Sequence, residues 1–120
     1  TAALWKTATG RLVNTLSRHT GSILDFAFSP NSRLVATAAG YPDNTTRVWD
    51  VIPVQTQAGT QIVAELRGHA SWINTVRFSP DGKLLITSSD DNTARVWELG
   101  VGQSRKWRFQ HGNNVYSTAF

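Results

Sequence analysis

Short apolar segments separated by turn-forming residues run along most of the chain. Ile73–Phe78 is followed by Ser79–Gly82, in which Pro80 presets φ at the second turn position and Gly82 accepts a positive φ at the fourth. Leu84–Thr87 is followed by the polar cluster Asp90–Asn92, after which Thr93–Trp97 begins. Segments of this length between such turns predict β-strands joined in an antiparallel meander.

The same pattern occurs more than once. His19–Phe28 aligns residue by residue with His69–Phe78, and a third copy starts at His111 and stops at Phe120. A further predicted strand stands before each copy, at 12–16, 62–66 and 105–109. The sequence therefore predicts four strands per repeat.

Several motifs coincide with this repeat, including Gly68-His69, Asp91-Asn92-Thr93 and the closing Trp49-Asp50. Together they resemble the WD-repeat family, with 44 residues between the first two recurring tryptophans and 48 between the next two. The departures are Arg18 and Gln110 in place of the glycine before histidine, and Glu98 in place of the final aspartate. The resemblance implies an all-β partial propeller built from four-stranded antiparallel blades.

On this reading the whole chain, 1–120, is part of a single β-propeller domain. Residues 1–17 are the outer strands of one blade, 18–67 the second blade, 68–110 the third blade and 111–120 the inner strand of the next. Such a piece needs the remaining blades, or further copies of itself, to close a ring. The sequence contains no methionine, so we expect it to begin inside a longer or processed chain. Head-to-tail assembly of copies would leave one strand position empty, so we favour truncation over self-assembly.

The resemblance also implies a buried hydrogen-bonded network in each complete repeat: His19, Thr37, Asp43 and Trp49 in the first, and His69, Thr87, Asp91 and Trp97 in the second. A buried imidazole needs a partner on each nitrogen, and a buried indole N–H needs an acceptor. Threonine, histidine and aspartate could also form a catalytic triad. Because the set is duplicated, we interpret it as structural and predict no catalytic residues and no enzyme. One histidine per blade does not favour convergence on a metal, and the sequence has no cofactor motif, so we predict no metal and no cofactor.

A partner-binding rim is a second prediction from the family. In the family, the residues around the start of the inner strand and just before the turn aspartate line the face that binds peptides and protein loops. The candidates at these positions here are Trp72, Asn74, Ser22, Leu24, Asn114, Tyr116, Asp90 and Pro42. Trp72 has no aromatic counterpart in the other copies, so it either belongs to a binding surface or covers the edge of a neighbouring blade. The recurring aromatic residues are instead predicted to be core: Trp5, Trp49, Trp97, Phe28 and Phe78.

Composition limits the possible functions. Hydrophobic residues make up 40% of the chain and charged residues 17%, which favours a folded protein. Cysteine is absent, which excludes disulfides and thiolate metal sites. No apolar run is long enough to span a bilayer, so we predict no membrane insertion. A cytoplasmic location is only the default expectation.

The main functional hypothesis is a non-catalytic scaffold that binds peptides or folded protein partners on the propeller rim. The net charge of +4 leaves nucleic-acid binding through a basic surface as an alternative. Arg47 and Arg95, each two residues before a tryptophan, are interpreted as packing or ion-pair residues in preference to phosphate ligands. A third possibility is a sensor or regulatory propeller belonging to a larger multidomain enzyme.

Overall fold

The structure is a computed structural model that describes residues 1–6, 8–51, 61–99, 106–110 and 112–120. Throughout these ranges every regular element is a β-strand, and all strand pairs are antiparallel. The predicted all-β class with four-stranded antiparallel blades is confirmed. The division of the chain into blades at 17, 67 and 110 stays a prediction.

Ten strands form three sheets in the described residues. The first sheet contains β1 (Ala2–Lys6) and β2 (Arg11–Leu16). The second has the order β3 (Ile23–Phe28), β4 (Leu34–Ala39), β5 (Thr46–Asp50) and β6 (Gln61–Leu66). The third has the order β7 (Ile73–Phe78), β8 (Leu84–Ser89), β9 (Thr93–Glu98) and β10 (Lys106–Gln110). Arg105, predicted to open the last strand, lies outside the described residues.

The first turn of each four-stranded sheet is built in the same way. The Ser79 N–H donates to the Leu84 carbonyl at 2.9 Å, and the Ser79 hydroxyl donates to the Asp81 carboxylate at 2.6 Å. In the second sheet, Ser29 makes the equivalent bonds to Leu34 and Asn31. Each serine hydroxyl thus fixes a tight hairpin between the inner strand and the next strand.

The core lies between the second and third sheets. A single cluster joins Ala36, Ala38, Val48 and Leu66 of the second sheet to Ile73, Val76, Leu85 and Trp97 of the third. A smaller cluster joins Leu16 of the first sheet to Val35 and Trp49 of the second. Each buried tryptophan is therefore covered by the sheet that precedes its own sheet in the chain.

Two aromatic residues predicted to be core are exposed. Phe28 is 50% exposed and Trp5 is 60% exposed, whereas Trp49 and Trp97 are buried and Phe78 packs against the main core. The prediction was wrong for Phe28 and Trp5 because burial in this architecture comes from the neighbouring sheet. No described sheet covers the face of β1 that carries Trp5, and the two-stranded first sheet leaves Phe28 open.

Residues 112–120 lie beside the third sheet without forming a strand. The Val115 N–H donates to the Ser89 carbonyl at 3.0 Å, and the hydroxyls of Thr75 and Thr118 are 3.3 Å apart. A β-strand needs a continuous ladder of such bonds along a partner strand. The predicted inner strand at 111–120 is therefore not formed here, and its first residue, His111, lies outside the described part of the chain.

The matched turns allow a stability prediction. Ser32 adopts φ of 59°, in the left-handed region, where the corresponding residue of the third sheet is Gly82 with φ of 74°. A Cβ atom is unfavourable in this region, so Ser32→Gly should stabilise the fold by about 1 kcal/mol. Thermal unfolding would measure this change.

The reverse substitution, Gly82→Ser, is the matched control and should lower the melting temperature. A lower melting temperature for Ser32→Gly would show that the left-handed conformation is not the limiting feature of this turn.

Candidate functional site

A continuous chain of hydrogen bonds links four side chains in the third sheet. The Trp97 indole Nε1–H donates to the Thr87 hydroxyl oxygen at 3.0 Å, and that oxygen lies 2.7 Å from His69 Nε2. On the other side of the ring, His69 Nδ1 lies 2.8 Å from the Asp91 carboxylate. One set of proton positions satisfies every group: Trp97 donates to Thr87, Thr87 donates to His69 Nε2, and His69 Nδ1–H donates to Asp91.

The second sheet repeats this arrangement. The Trp49 indole donates to the Thr37 hydroxyl at 2.8 Å, and Thr37 Oγ1 lies 2.6 Å from His19 Nε2. His19 Nδ1 is 3.2 Å from the Asp43 carboxylate. The edge-on contact between imidazole and indole is also the same, with ring centroids 6.3 Å apart here and 6.4 Å apart in the third sheet. The structure therefore brings together each set of four residues that the sequence nominated.

The aspartate of each network also holds its turn. Asp91 accepts hydrogen bonds from the Ala70 N–H at 3.0 Å and the Thr93 N–H at 2.9 Å, and the Thr93 hydroxyl donates to the same carboxylate. Asp43 accepts from the Thr20 N–H at 2.7 Å and from the Thr45 hydroxyl. Each carboxylate thus ties the segment before the inner strand to the turn between the second and third strands.

The two networks differ at the arginine that precedes the tryptophan by two residues. Arg47 Nη1 lies 2.9 Å from the Asp43 carboxylate and 2.8 Å from His19 Nδ1, and Arg47 Nη2 lies 3.4 Å from Glu65. Arg95 makes no such contact with Asp91 among the described residues. Asp43 is consequently shared between a guanidinium and an imidazole, which matches its longer distance to His19.

Burial argues against chemistry at these networks. Thr37 and Thr87 are completely buried, and each hydroxyl oxygen already accepts an indole N–H. A nucleophile must reach a substrate, and neither hydroxyl has a path to one. Among the described residues, no group of three or more His, Cys, Asp or Glu side chains is placed to hold a metal ion.

The eight rim candidates lie in two adjoining groups. Leu24 and Trp72 flank Gly40, because a Cβ atom built on Gly40 would lie 3.2 Å from Leu24 Cδ1 and 3.4 Å from Trp72 Cδ2. Leu24 is 40% exposed and Trp72 is 48% exposed, so both side chains keep an open surface. Trp72 therefore packs beside the second sheet and keeps an exposed face, and its place in a binding surface stays a prediction.

Asn74 and Asp90 form a polar group that adjoins Trp72, because the Asp90 N–H donates to the Trp72 carbonyl at 3.0 Å. The Asn74 amide donates to the Asp90 carboxylate at 2.8 Å and to the Val115 carbonyl at 2.9 Å. These two residues hold the segment 112–120 against the third sheet, and the neighbouring side chains Asn114 and Tyr116 are exposed. The last two candidates, Ser22 and Pro42, are exposed, and the Ser22 carbonyl accepts the Gly40 N–H at 2.8 Å.

Sequence reasoning missed two contributors to this region. Tyr41 is 71% exposed and follows Gly40, the residue that Leu24 and Trp72 flank, directly in the chain. Asp25 accepts hydrogen bonds from the Val76 N–H, at 3.0 Å, and from the Arg77 guanidinium, which joins the two inner strands. The available signal for Asp25 was a lone acidic residue inside an apolar inner strand.

The protein-family model described as WD domain, G-beta repeat matches residues 10–50 and 60–98. The chain belongs to the WD-repeat family. The partial-propeller assignment is thereby confirmed. In the described part of this WD-repeat chain, no helix has the length and apolar character needed to cross a membrane.

Individual relatives agree with this family. A guanine nucleotide-binding protein subunit beta from Arabidopsis thaliana is 33% identical over the whole chain, which covers 33% of that protein. The zebrafish WD repeat and SOCS box-containing protein 1 is 32% identical over 80% of the chain and 21% of its own length. The zebrafish apoptotic protease-activating factor 1 is 44% identical over 58% of the chain and 5% of its length. The chain thus spans a third or less of these curated relatives.

The electrostatics of each WD-repeat network keep the imidazole neutral and the carboxylate charged. Burial is the largest influence on His69 and lowers its pKa below the ordinary 6.5, although Asp91 acts in the opposite direction. Burial also lowers the pKa of His19. For Asp91, burial would raise the pKa, but the hydrogen bonds from Thr93, Ala70 and His69 outweigh burial and bring it to about 2.

Removing one carboxylate tests the network as a stabilising unit. Asp91→Ala leaves the buried His69 Nδ1–H and the Ala70 and Thr93 N–H groups without their acceptor. We expect a loss of about 1–3 kcal/mol in the free energy of unfolding, because stranded buried donors lose solvation without compensation. Chemical denaturation would measure this loss.

The neighbouring Asp90→Ala is the matched control, since its carboxylate accepts one described side-chain hydrogen bond, from Asn74. If both variants unfold at the same denaturant concentration, the assigned role of Asp91 is wrong.

Acidification should destabilise the protein in two pH windows. Between 6.5 and the lower pKa of folded His69, the unfolded state binds a proton that the folded state does not, so stability falls as the pH drops. A second loss should occur as the pH falls from 3.8 to about 2, where unfolded Asp91 takes up a proton first. Melting temperatures measured across this pH range would detect both losses.

His69→Gln cannot titrate at this position and should show a shallower decrease in the upper window. An unchanged slope in that variant would mean that another group causes the acid sensitivity.

Proposed function

We propose that this chain is part of a non-catalytic WD-repeat scaffold that binds a peptide or a folded protein partner through its rim. The observation that carries this proposal is that the partly exposed side chains of Leu24 and Trp72 flank Gly40, and that the exposed Tyr41 follows Gly40 in the chain. Large aromatic side chains that remain half-exposed over a close-packed backbone are typical anchors for a partner. We name these four residues the aromatic rim patch.

Two features support a rim site over a buried one. The histidine networks are enclosed and their polar groups are mutually satisfied, so they contribute rigidity without offering a ligand any free group. The aromatic rim patch joins the second and third sheets, which share the main core. A surface placed on such a core is rigid, and a rigid surface loses little conformational entropy on binding.

Relatives named as a subunit support the same proposal. The guanine nucleotide-binding proteins from Arabidopsis thaliana and potato are each named as subunit beta, which describes a component of an assembly. The family model that matches the chain describes WD repeats and indicates no class of enzyme. The nucleic-acid alternative has less support, because Arg33, Arg47, Arg67 and Arg77 each form an ion pair with an acidic side chain of the chain.

Peptide selection against the purified protein tests the proposal, followed by affinity measurements on variants. Trp72→Ala should weaken the selected peptides by about ten-fold or more, because a truncated aromatic anchor usually dominates the loss of affinity. Val63→Ala is the control, since Val63 is 52% exposed on β6, an outer strand. Peptides that bind the two variants equally well would place the binding surface elsewhere.

A further inference from the structure

One cross-strand pair carries opposite charges in the second sheet and like charges in the third sheet. In the second sheet, Arg47 on β5 lies directly opposite Glu65 on β6. In the third sheet, Arg95 on β9 occupies the place of Arg47, and the residue opposite it on β10 is Arg108. Directly opposed residues of an antiparallel pair project from the same face, so Arg95 and Arg108 are neighbours of like charge.

The second sheet shows what this position normally holds. The Glu65 carboxylate lies 3.4 Å from Arg47 Nη2 and also pairs with Arg67. Arg47 is buried, and its Nη atoms have carboxylate partners in Asp43 and Glu65. Glu65 on the outer strand therefore supplies the second carboxylate that pairs with Arg47, beside the histidine network of the second sheet.

The third sheet has no equivalent acid. All eight acidic residues of the chain fall within the described ranges, and none of them forms an ion pair with Arg95 or Arg108. Asp91, the nearest counterpart of Asp43, is engaged by His69, Ala70 and Thr93 instead. The buried Nε atoms of Arg95 and Arg47 both lack a hydrogen-bond partner among the described residues, so the two arginines differ in the partners of their Nη atoms.

We propose that Arg95 and Arg108 form a second docking site, which binds a carboxylate side chain of an acidic peptide segment in the place that Glu65 occupies in the second sheet. The site is accessible, because Arg108 is exposed and β10 is the edge strand of its sheet. Two guanidinium groups on one face can hold a carboxylate with charge-assisted hydrogen bonds. The same chain already uses this arginine position for a carboxylate, which favours an acidic peptide over a phosphate ligand.

This site is distinct from the aromatic rim patch. It lies on the two outer strands of the third sheet, whereas the patch lies where the inner strand of the second sheet meets the segment before β7. The two sites can therefore be disabled separately, and the loss of one leaves the other open to measurement.

Fluorescence anisotropy with a labelled oligoglutamate peptide tests the proposal on the purified protein. Arg108→Glu supplies the missing acid from within the chain, so it should reduce peptide affinity by about ten-fold or more. The same variant should raise the melting temperature by about two degrees, because a repulsive pair becomes an ion pair. Loss of binding together with a gain of stability is not expected from a variant that merely damages the fold.

Lys83→Glu is the matched control, because it makes the same change of charge at an exposed turn of the same sheet. It should leave peptide affinity within about two-fold of the original, because Lys83 lies in the turn between β7 and β8, outside the strands that carry Arg95 and Arg108, and salt screens an exposed charge. Trp72→Ala should also leave oligoglutamate binding unchanged, which separates this site from the proposed rim function.

Three results would overturn the proposal. Equal losses of affinity in Arg108→Glu and Lys83→Glu would show a non-specific attraction to positive charge. Binding of a labelled single-stranded oligonucleotide, lost in Arg108→Glu, without any binding of oligoglutamate would identify a phosphate site instead. A lower melting temperature in Arg108→Glu would mean that Arg95 already has a satisfactory partner.

Discussion

An indole buried between two β-sheets has one N–H group, and that group needs an acceptor where no water can reach it. In this chain the acceptor is a threonine hydroxyl on the neighbouring strand, whose own proton then goes to an imidazole. The imidazole in turn needs a carboxylate for its second nitrogen. These four groups come from the segment before the inner strand, the second strand, the following turn and the third strand. One sequence of hydrogen bonds therefore fixes strand register and turn conformation together.

The networks could be anticipated from the sequence because they depend on local repetition. His69, Thr87, Asp91 and Trp97 have counterparts of the same type in the first complete repeat, so one interpretation explains both sets. Burial of the large aromatic residues could not be anticipated in the same way. Phe28 and Phe78 have identical positions in their repeats, but a core residue in this architecture is covered by another sheet. The sequence of a repeat contains no information about the surface opposite it.

The arginine pairs show a second limit of sequence reasoning. Arg47 and Arg95 stand in equivalent places and have the same spacing from the tryptophan, so they could not be distinguished along the chain. Their difference arises across the sheet, where the register sets Glu65 opposite one and Arg108 opposite the other. The outer strand β6 follows a long connection, and its register against β5 depends on a bulge. This bulge shifts the pairing between Val48 and Trp49. Such bulges change which residues lie opposite each other, but the order of apolar and polar residues along the chain does not reveal them.

Two of the positions that differ between the repeats, those of Trp72 and Arg108, reach solvent. The members of the buried networks are constrained because each one donates or accepts a hydrogen bond that another member needs. A substitution at one member leaves the buried polar groups of its neighbours without a partner. Trp72 and Arg108 supply no group to these networks. Ser22 takes the place of the tryptophan in the other repeat, and Glu65 takes the place of the arginine. Exposed substitutions cost little stability, so differences in recognition can accumulate there while the hydrogen-bonded frame stays the same. Because the frame is rigid, each such difference is displayed at a fixed place on the sheet, and neighbouring blades of one architecture can present different chemistry to different partners.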